Sequence, residues 1–371
     1  MKKKIIIVGG VAGGASAAAR LRRLDEDAEI VLLEKGEYIS FANCGLPYYI
    51  GGGIKEKSAL TLQTPASFRA RFNVDVRTRH EALAINREAR ELVIKDLAAG
   101  KTYTESYDAL ILSMGADPVK PPISGMDAAG AYEKSRRVFT LRNIPDTFKI
   151  KDFIETEKPK TALVMGGGYI GVEMAENLSA AGLEVTIVEM LDQVIAPLDY
   201  DMACEVHRHI RSKGVKLRLK TAVTAIREEA AGLSVRVKDE KGEEEIPADM
   251  LIMAAGVRPE SGIAKEAGLA LNQRGAIVVD EHMRTGDEHI YAVGDAVEVT
   301  DFVSGRKAAV PLAGPANKQG RIAADNICGI PGVYGGTQGS AILKVFDLTV
   351  ACTGVNEKTA KRLGLDYDKS F

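Results

Sequence analysis

The chain has 371 residues, which is more than one hydrophobic core usually organises and predicts two or three domains. Its 49 basic and 51 acidic residues give a formal net charge of −2, so the chain lacks the overall positive charge that would attract nucleic acid. Cysteines 44, 204, 328 and 352 form no CxxC pair and no metal-ligand spacing, so we expect a reducing compartment, the cytoplasm. No run approaches the roughly 20 apolar residues of a membrane span.

The chain opens with a pattern that predicts a strand, a glycine-rich turn and a helix. The apolar, β-branched residues Lys3–Val8 run into Gly9–Gly14, and a second strand, Glu29–Leu33, ends on Glu34. In such a unit, backbone amides at the helix N-terminus approach a pyrophosphate, and the acid accepts hydrogen bonds from a ribose. Val11 occupies the second glycine position of the usual fingerprint, so this copy departs from the pattern.

A single cysteine follows in the segment Ser40–Tyr48, where Gly45 and Pro47 predict a turn. No second cysteine lies within the next few residues, so any sulfur chemistry here uses Cys44 alone. Attack on a disulfide or persulfide requires a thiolate, and we expect nearby dipoles or positive charge to lower the pKa of Cys44. The alternative is a buried, unreactive thiol, the usual state of a free cysteine.

A second copy of the strand–glycine–helix pattern occurs in the middle of the chain. The strand Thr161–Met165 precedes Gly166–Gly171, a helix runs through Ala181, and the strand Val185–Val188 ends on Glu189. Two such units predict two dinucleotide sites. Residues 190–193 contain no Arg or Lys to pair with a ribose 2′-phosphate, so if this unit binds a nicotinamide nucleotide, we expect NADH rather than NADPH.

Three further apolar strands, Tyr107–Leu112, Met250–Met253 and Ile290–Val293, end at small or acidic residues. Ligands of open α/β sheets lie at such carboxyl ends of strands. The predicted fold class is therefore α/β, with two Rossmann-like dinucleotide-binding domains. The last forty residues predict a strand pair within Ala341–Val350 and a short helix near Glu357–Leu363, the start of an incomplete domain.

These residues resemble the single-cysteine branch of the flavin-dependent pyridine nucleotide-disulfide oxidoreductases, and within it the coenzyme A-disulfide reductase and NADH-dependent persulfide reductase group. The resemblance extends over essentially the whole chain. Its motifs are Gly9–Arg23, Ser40–Tyr48, Gly166–Glu173, Ala254–Pro259, Ile290–Ala296 and Pro311–Gly320. It implies a glutathione-reductase-like flavoprotein: a discontinuous FAD domain (1–118 and 249–332), an NAD(H) domain (119–248) and a truncated α+β interface domain (333–371).

The resemblance also assigns cofactor contacts to the matching positions. The residues that it implies for the flavin side are Gly9, Ala12, Gly13, Glu34, Lys35, Asn43, Ser113, Gly115, Asp295 and Ala313. Those that it implies for the nicotinamide nucleotide are Gly166, Gly168, Ile170, Gly171, Glu173, Glu189 and Gly256, with Glu173 and Gly256 near the transferring ring.

The first helix presents candidate substrate contacts. Ser16, Arg20 and Arg23 are spaced i, i+4 and i+7, so they share one helix face, and arginine suits phosphate. The resemblance places the nucleotide end of coenzyme A on this face, with Ser40 and Asn43 nearer its thiol. A solvated basic face is the alternative, since Arg22 lies among them without a predicted role.

The resemblance implies that NADH reduces FAD and that the reduced flavin reduces sulfur held on Cys44, with CoA disulfide, CoA persulfide or polysulfide as substrate. One alternative is an NADH oxidase, although this superfamily's oxidases and peroxidases carry a histidine where this sequence has Ala12. Another is a flavin-binding, redox-responsive module that does not turn over.

The expected partners follow from the same comparison of residues. We expect a small-molecule sulfur substrate, no nucleic acid and no membrane. The family's interface domain forms a homodimer, which predicts a homodimer for a complete chain and a weakened one here. No metal is expected, because His207 and His209 are two apart on a predicted helix and point in different directions.

Overall fold

The structure is a computed structural model that describes residues 2–128 and 130–370. The strands, in chain order, are β1 Lys4–Val8, β2 Glu29–Glu34, β3 Asp75–Thr78, β4 His80–Asn86, β5 Glu91–Asp96, β6 Lys101–Ser106, β7 Ala109–Leu112, β8 Ala116–Pro118, β9 Val138–Phe139, β10 Thr161–Met165, β11 Glu184–Val188, β12 Lys216–Arg218, β13 Ala222–Glu228, β14 Leu233–Asp239, β15 Gly242–Ala248, β16 Met250–Met253, β17 Val257–Pro259, β18 Ile290–Ala292, β19 Val299–Thr300, β20 Lys307–Ala308, β21 Ala341–Val345 and β22 Leu348–Cys352.

The helices differ widely in length. The α-helices are α1 Ala12–Leu24, α2 Leu46–Ile50, α3 Pro65–Phe72, α4 Ala131–Lys134, α5 Ile144–Glu157, α6 Tyr169–Ala180, α7 Tyr200–Ser212, α8 Gly262–Glu266, α9 Ala313–Ile327 and α10 Glu357–Leu363. Short 3₁₀ turns occupy Asn43–Gly45, Lys57–Leu60 and Gly294–Ala296.

The chain divides into two compact units. The first contains Met1–Phe41, Thr61–Asp117 and Arg258–Gly339, and the second contains Ala42–Leu60, Pro118–Val257 and Ser340–Phe371. Each unit has a parallel five-stranded sheet as its centre and a separate three-stranded antiparallel sheet, β4-β5-β6 in the first and β13-β14-β15 in the second.

The sheet of the first unit has the strand order β18-β7-β1-β2-β3, and all its pairings are parallel. Its central strand β1 is apolar because it is covered on both faces, and Ile5, Ile6 and Ile7 are completely buried. The helix α1 leaves β1 and packs against α9. The carboxyl ends of β1, β2, β7 and β18 therefore lie along one edge of this sheet.

The sheet of the second unit has the order β12-β11-β10-β16-β9, again wholly parallel. Its β16, Met250–Met253, pairs with β10 from Ala162↔Met250 to Met165↔Met253. The predicted domain boundary at 249 placed this strand with the first sheet. The structure differs, because four consecutive parallel pairings hold β16 beside β10.

The structure also differs from the predicted boundaries at two other segments. Residues 42–60, which include Cys44, belong to the second unit, and so do residues 340–371, predicted as a separate domain. The hairpin β21–β22 turns at Phe346 and forms where the sequence predicts it, as does α10. Lys344 on this hairpin lies 3.3 Å from Glu176 on α6, which ties the hairpin to the second unit.

No helix within residues 2–128 and 130–370 combines the length and apolar character that crossing a bilayer requires.

Candidate active site

The first glycine turn connects β1 to α1, which begins at Ala12, inside the predicted turn Gly9–Gly14. The carboxylate of Glu34, at the end of β2, accepts hydrogen bonds from the amides of Gly10 (2.9 Å) and Gly36 (2.8 Å). Lys35 pairs with Glu81 at 2.7 Å, and this hydrogen bond raises the pKa of Lys35. The turn, the helix start with Gly13 and the acid thus form one arrangement at the edge of the sheet.

Ser113, Gly115 and Asp295, which are also predicted for the flavin, follow strands of the same unit, whereas Asn43 belongs to the second unit. Ser113 and Gly115 follow β7, and the Ser113 amide bonds to the Val8 carbonyl at 2.8 Å. Asp295 lies in the 3₁₀ turn after β18, and Ala313 is the first residue of α9 and is exposed. The structure therefore brings the predicted positions of this unit to one sheet edge.

Gln319 is a polar residue that sequence reasoning missed. It lies on α9, is 1 % exposed, and its side-chain oxygen accepts the Gly294 amide at 2.7 Å. It therefore holds the turn that carries Asp295. The available signal was a polar residue on the otherwise small-residue face of the Pro311–Gly320 motif.

The predicted substrate face of α1 makes contacts with α9. Ser16 donates to the side-chain oxygen of Asn317 at 2.9 Å, and Arg20 Nε lies 2.6 Å from Asp325. Arg23 instead stacks over the Phe72 ring, 5.7 Å from its centroid. The charge of Arg20 is thus partly balanced within the protein, and its role toward coenzyme A stays a prediction.

Arg22, to which the sequence assigned no role, closes the C-terminal end of α1. Its guanidinium donates to the backbone carbonyls of residues 25, 26, 28, 72 and 73. Ser40, another predicted substrate residue, has a left-handed φ of 46°, and its amide bonds to the Gly10 carbonyl at 2.9 Å. Such a conformation costs energy for a residue with a side chain, so these contacts must stabilise it.

The second glycine turn connects β10 to α6 in the second unit. The Glu189 carboxylate accepts the amides of Gly167 (2.5 Å) and Leu191 (2.7 Å), which repeats the arrangement around Glu34. A Cβ at Gly171 would lie 2.0 Å from the Gly166 carbonyl oxygen, so the helix approaches the strand too closely for any other residue. A Cβ at Gly168 would meet no atom within 4 Å. The turn is therefore closed against the strand and open at the helix N-terminus.

Ile170 and Gly256, also predicted for the nicotinamide nucleotide, are both exposed in this unit. Gly256 follows β16 with a left-handed φ of 108°. Because β16 lies beside β10, its carboxyl end and the second glycine turn share one edge of the sheet.

Cys44 is exposed and lies in the 3₁₀ turn Asn43–Gly45, which leads directly into α2. Asn43 is exposed beside it. The helix α2 packs against α6 of the same unit, where a Cβ at Gly51 would lie 2.4 Å from the side chain of Asn177. The sulfur is therefore presented on a short, well-packed element.

The expectation of a lowered pKa for Cys44 is wrong. Partial desolvation by surrounding protein atoms raises the pKa of this thiol, and the negative charge of Glu173 raises it further. The sequence predicted nearby dipoles or positive charge, but desolvation and the charge of Glu173 outweigh any such contribution. The surroundings of the sulfur therefore favour the thiol over the thiolate.

Glu173, on α6, is an acid with a raised pKa that acts on Cys44. Burial, and then the charge of Glu176, raise the pKa of Glu173 to about 7. Burial and the same two carboxylates raise the pKa of Tyr48 to about 12. Glu176 is 6 % exposed and was missed by sequence reasoning, although its i, i+3 spacing from Glu173 on α6 places both on one face. A proton-exchanging group therefore lies near Cys44.

Among residues 2–128 and 130–370, no three His, Cys, Asp or Glu side chains cluster in a way that could hold a metal ion.

Two dinucleotide-type β-α-β units and one exposed cysteine define an α/β oxidoreductase. Residues 3–320 match the model of the pyridine nucleotide-disulphide oxidoreductase family. The chain belongs to this family, which confirms both the predicted family and the predicted fold class. FAD and NAD(H) are the cofactors of the family.

Curated relatives agree with this assignment. The chain is 34% identical to a coenzyme A disulfide reductase of Staphylococcus haemolyticus over 366 residues, which cover 98% of this chain and 79% of that protein. It is 35% identical to an NADH oxidase of Methanocaldococcus jannaschii over 362 residues, covering 96% of this chain and 77% of that one.

Solved structures of similar proteins support the same family assignment. The reduced CoADR-RHD of Bacillus anthracis superposes with a TM-score of 0.94 at 52% identity, covering 99% of this chain and 64% of that one. An NAD-dependent persulfide reductase from A. fulgidus gives a TM-score of 0.91 at 42% identity, with coverages of 98% and 66%. This chain thus spans slightly less than two thirds of these two proteins.

Proposed function

We propose that this protein is an FAD-dependent NADH oxidoreductase that reduces CoA disulfide, CoA persulfide or polysulfide through Cys44. The observation that carries the proposal is the exposed Cys44 on an element that packs against α6, the helix of the second glycine turn. The names of similar proteins, coenzyme A disulfide reductase and persulfide reductase, support the sulfur substrate.

The residues present fit both dinucleotides. Each glycine turn is held by a carboxylate and leads into a helix whose first amides are available to an anion. The open space at Gly168 is where a bulkier residue would obstruct a pyrophosphate. FAD, when bound, supplies the coupling between a two-electron hydride donor and sulfur.

The residues proposed for FAD are Gly9, Ala12, Gly13, Glu34, Lys35, Asn43, Ser113, Gly115, Asp295 and Ala313. Those proposed for NADH are Gly166, Gly168, Ile170, Gly171, Glu173, Glu189 and Gly256. Absence of Arg and Lys from residues 190–193 supports NADH over NADPH, and a lower KM for NADPH would contradict this choice.

The Cys44 sulfur supplies the nucleophile. Its thiolate attacks CoA disulfide, so that a Cys44–CoA disulfide forms and one CoA thiolate leaves. Two electrons from NADH then break this mixed disulfide into the Cys44 thiolate and a second CoA thiolate. With the protons included, one NADH and one proton convert one CoA disulfide to two CoA thiols.

Glu173 is the group suited to exchange the proton. With a pKa of about 7 it is half protonated at neutral pH, so it can give a proton to a departing thiolate and take one back. When Glu173 is protonated, it also removes the negative charge that opposes the Cys44 thiolate.

We also propose a cytoplasmic location and, for a complete chain, a homodimer. Free thiols at positions 44, 204, 328 and 352 support a reducing compartment. Ile342 on the hairpin β21–β22 is 73% exposed, which supports an interface on that hairpin. Sedimentation of a complete chain that shows only monomers at micromolar concentration would contradict the dimer.

An NADH oxidase is the second candidate, because a curated relative carries that name. Ala12 replaces the histidine expected of that sub-branch, which favours sulfur. The test is NADH oxidation by the FAD-loaded protein with CoA disulfide, CoA persulfide or oxygen as sole acceptor. Faster oxidation with either sulfur compound supports the proposal. Oxygen as the preferred acceptor supports the oxidase, and flavin reduction without turnover supports a redox-responsive module.

A further inference from the structure

The loop at residues 190–199, here called the post-Glu189 loop, lies against the second glycine turn. The amide of Ile195 bonds to the Gly167 carbonyl at 2.8 Å, while the Gly167 amide bonds to Glu189 at 2.5 Å. Val194 is completely buried and Ile195 is 1% exposed. Both polar groups of the Gly167 backbone are thus held by Glu189 and this loop.

The loop has a conformation that its own sequence does not favour. Ile195 has a left-handed φ of 50°, which is rare for a β-branched residue. A residue persists in such a conformation only when its surroundings hold it there. The contacts that do so come from two other elements of the second unit, α10 and α7.

Contacts from α10 and its N-cap residue Asn356 hold residues 193–199 of the loop. The Lys358 ammonium group donates to the Gln193 side-chain oxygen at 2.8 Å and to the Ala196 carbonyl at 2.9 Å. Asn356 donates to the Pro197 carbonyl at 2.7 Å. In return, the Asp199 carboxylate accepts the Lys358 amide at 3.3 Å. These contacts therefore hold the loop from Gln193 to Asp199.

A contact from α7 holds the loop at Val194. The ring nitrogen Nε2 of buried His207 accepts the Val194 amide at 3.1 Å. The Gln193 amide group donates to the Leu198 carbonyl at 3.0 Å, so its oxygen is aimed at Lys358. Lys358 is the cation in this network, and its charge strengthens the hydrogen bonds it makes.

We propose that Lys358 is a positioning residue for the nicotinamide nucleotide. By bridging Gln193 and Ala196 it fixes the post-Glu189 loop, and the loop in turn keeps Gly167 and Glu189 in the arrangement that the nucleotide requires. This inference rests on the proposed function only in taking NADH as the ligand of the second glycine turn.

The test uses the full FAD-loaded chain and three variants. Lys358→Met removes the bridge, Lys358→Arg restores a cation, and Lys361→Met is the matched control, since Lys361 lies on the same helix and pairs with Glu357. The dissociation constant of NAD⁺ is measured by fluorescence titration, and that of NADH from the dependence of the anaerobic flavin-reduction rate on NADH concentration, both without a sulfur acceptor. Hydrogen exchange of the Val194 and Ile195 amides is measured alongside.

Lys358→Met is expected to weaken NADH binding about tenfold, as loss of two charge-assisted hydrogen bonds implies, and to speed exchange at both amides. Flavin reduction at saturating NADH should stay at the wild-type rate, and Lys358→Arg should recover most of the affinity. Lys361→Met should bind NADH as the wild type does.

Equal NADH affinity in Lys358→Met and the wild type would overturn the proposal, and so would an equal loss in Lys361→Met. If Lys358→Met fails to fold, Lys358→Gln retains an amide donor and is expected to give an intermediate affinity; wild-type affinity in that variant would overturn the proposal. A wild-type protein that binds NADH but reduces no sulfur compound would refute the proposed function alone, because the affinity ratio would still decide the role of Lys358.

Discussion

Among single residues, the proposed chemistry centres on the Cys44 thiol and the Glu173 carboxyl group, because each disfavours the ionised form of the other. Ionised Glu173 disfavours the Cys44 thiolate, and its own pKa of about 7 means that its charge changes across the neutral range. The sulfur is therefore hardest to ionise when Glu173 is charged. Proton transfer between solvent, Glu173 and sulfur should govern when Cys44 becomes reactive.

The first prediction concerns Glu173→Gln. Above pH 7 this change removes a negative charge, so it lowers the pKa of Cys44 and should speed alkylation of Cys44 by iodoacetamide, by about two- to fivefold at pH 8. At pH 6 Glu173 is mostly protonated already, so the two proteins should react at similar rates. Mass spectrometry of the Cys44 peptide gives the rates.

The control for this prediction is Glu155→Gln, which removes an exposed carboxylate of the same unit. It should leave the alkylation rate unchanged at both pH values. Equal rates for Glu173→Gln and the wild type at pH 8 would show that Glu173 does not influence the sulfur.

Among the structural elements, the glycine turn between β10 and α6 contains two glycines whose surroundings differ. Gly171 is required by a close approach of the helix to the strand, whereas Gly168 caps the helix beside open space. The same motif therefore contains one glycine that the packing requires and one that we propose for the ligand.

The second prediction compares these two positions. Gly171→Ala places a Cβ against the Gly166 carbonyl and should destabilise the protein by about 1–3 kcal/mol, the usual cost of overpacking. Gly168→Ala should leave the free energy of unfolding nearly unchanged, because φ is −72° there, but should weaken NADH binding. Urea unfolding and NADH titration distinguish the two effects. A stable Gly171→Ala protein would contradict the packing in this turn.

The third prediction concerns His207, the anchor of the post-Glu189 loop on α7. Burial, and then the charge of Arg211, lower the pKa of His207 below its ordinary value of 6.5, while Asp192 opposes this shift. The unfolded chain therefore takes up this proton first. The contribution of His207 to stability is complete above pH 6.5 and is lost as the pH falls through the lower folded-state pKa, with a limiting slope of about 1.4 kcal/mol per pH unit.

The variant His207→Gln tests this sign, because its amide oxygen can still accept the Val194 amide but does not titrate. Urea unfolding between pH 5 and 7 should show a smaller loss of stability on acidification than in the wild type. An identical pH profile for both proteins would contradict the neutral, hydrogen-bonded state of His207.

At the scale of the whole molecule, the sequence predicts the repeated β-α-β design because it depends on local pattern. Short β-branched runs, glycines at fixed spacing and a terminal acid predict β1 and β10 to within one residue and predict that a helix follows each strand. The sequence does not predict that β16 joins the second sheet, because an apolar strand could pair with either sheet. Only the hydrogen-bonded pairing with β10 in the folded chain shows which sheet it joins.

The candidate site likewise contains residues that the sequence predicts and contacts that it does not. Positions such as Glu34 and Glu189 could be predicted, since strand ends and fingerprints define them. The clasp of Lys358 on Gln193 joins residues 165 positions apart in no periodic pattern, so only the folded chain reveals it. The pKa of Cys44 was mispredicted because it depends on desolvation and on Glu173, not on the adjacent residues.

The most direct test of the role of Cys44 is anaerobic NADH oxidation by the FAD-loaded protein with CoA persulfide, beside Cys44→Ser, with released hydrosulfide quantified. We expect one hydrosulfide per NADH in the wild type. Cys44→Ser should lose this turnover by roughly a thousandfold or more while NADH still reduces its flavin, because a serine hydroxyl is a poor nucleophile at its free pKa. Persulfide reduction at the wild-type rate by Cys44→Ser would contradict the role of the single cysteine.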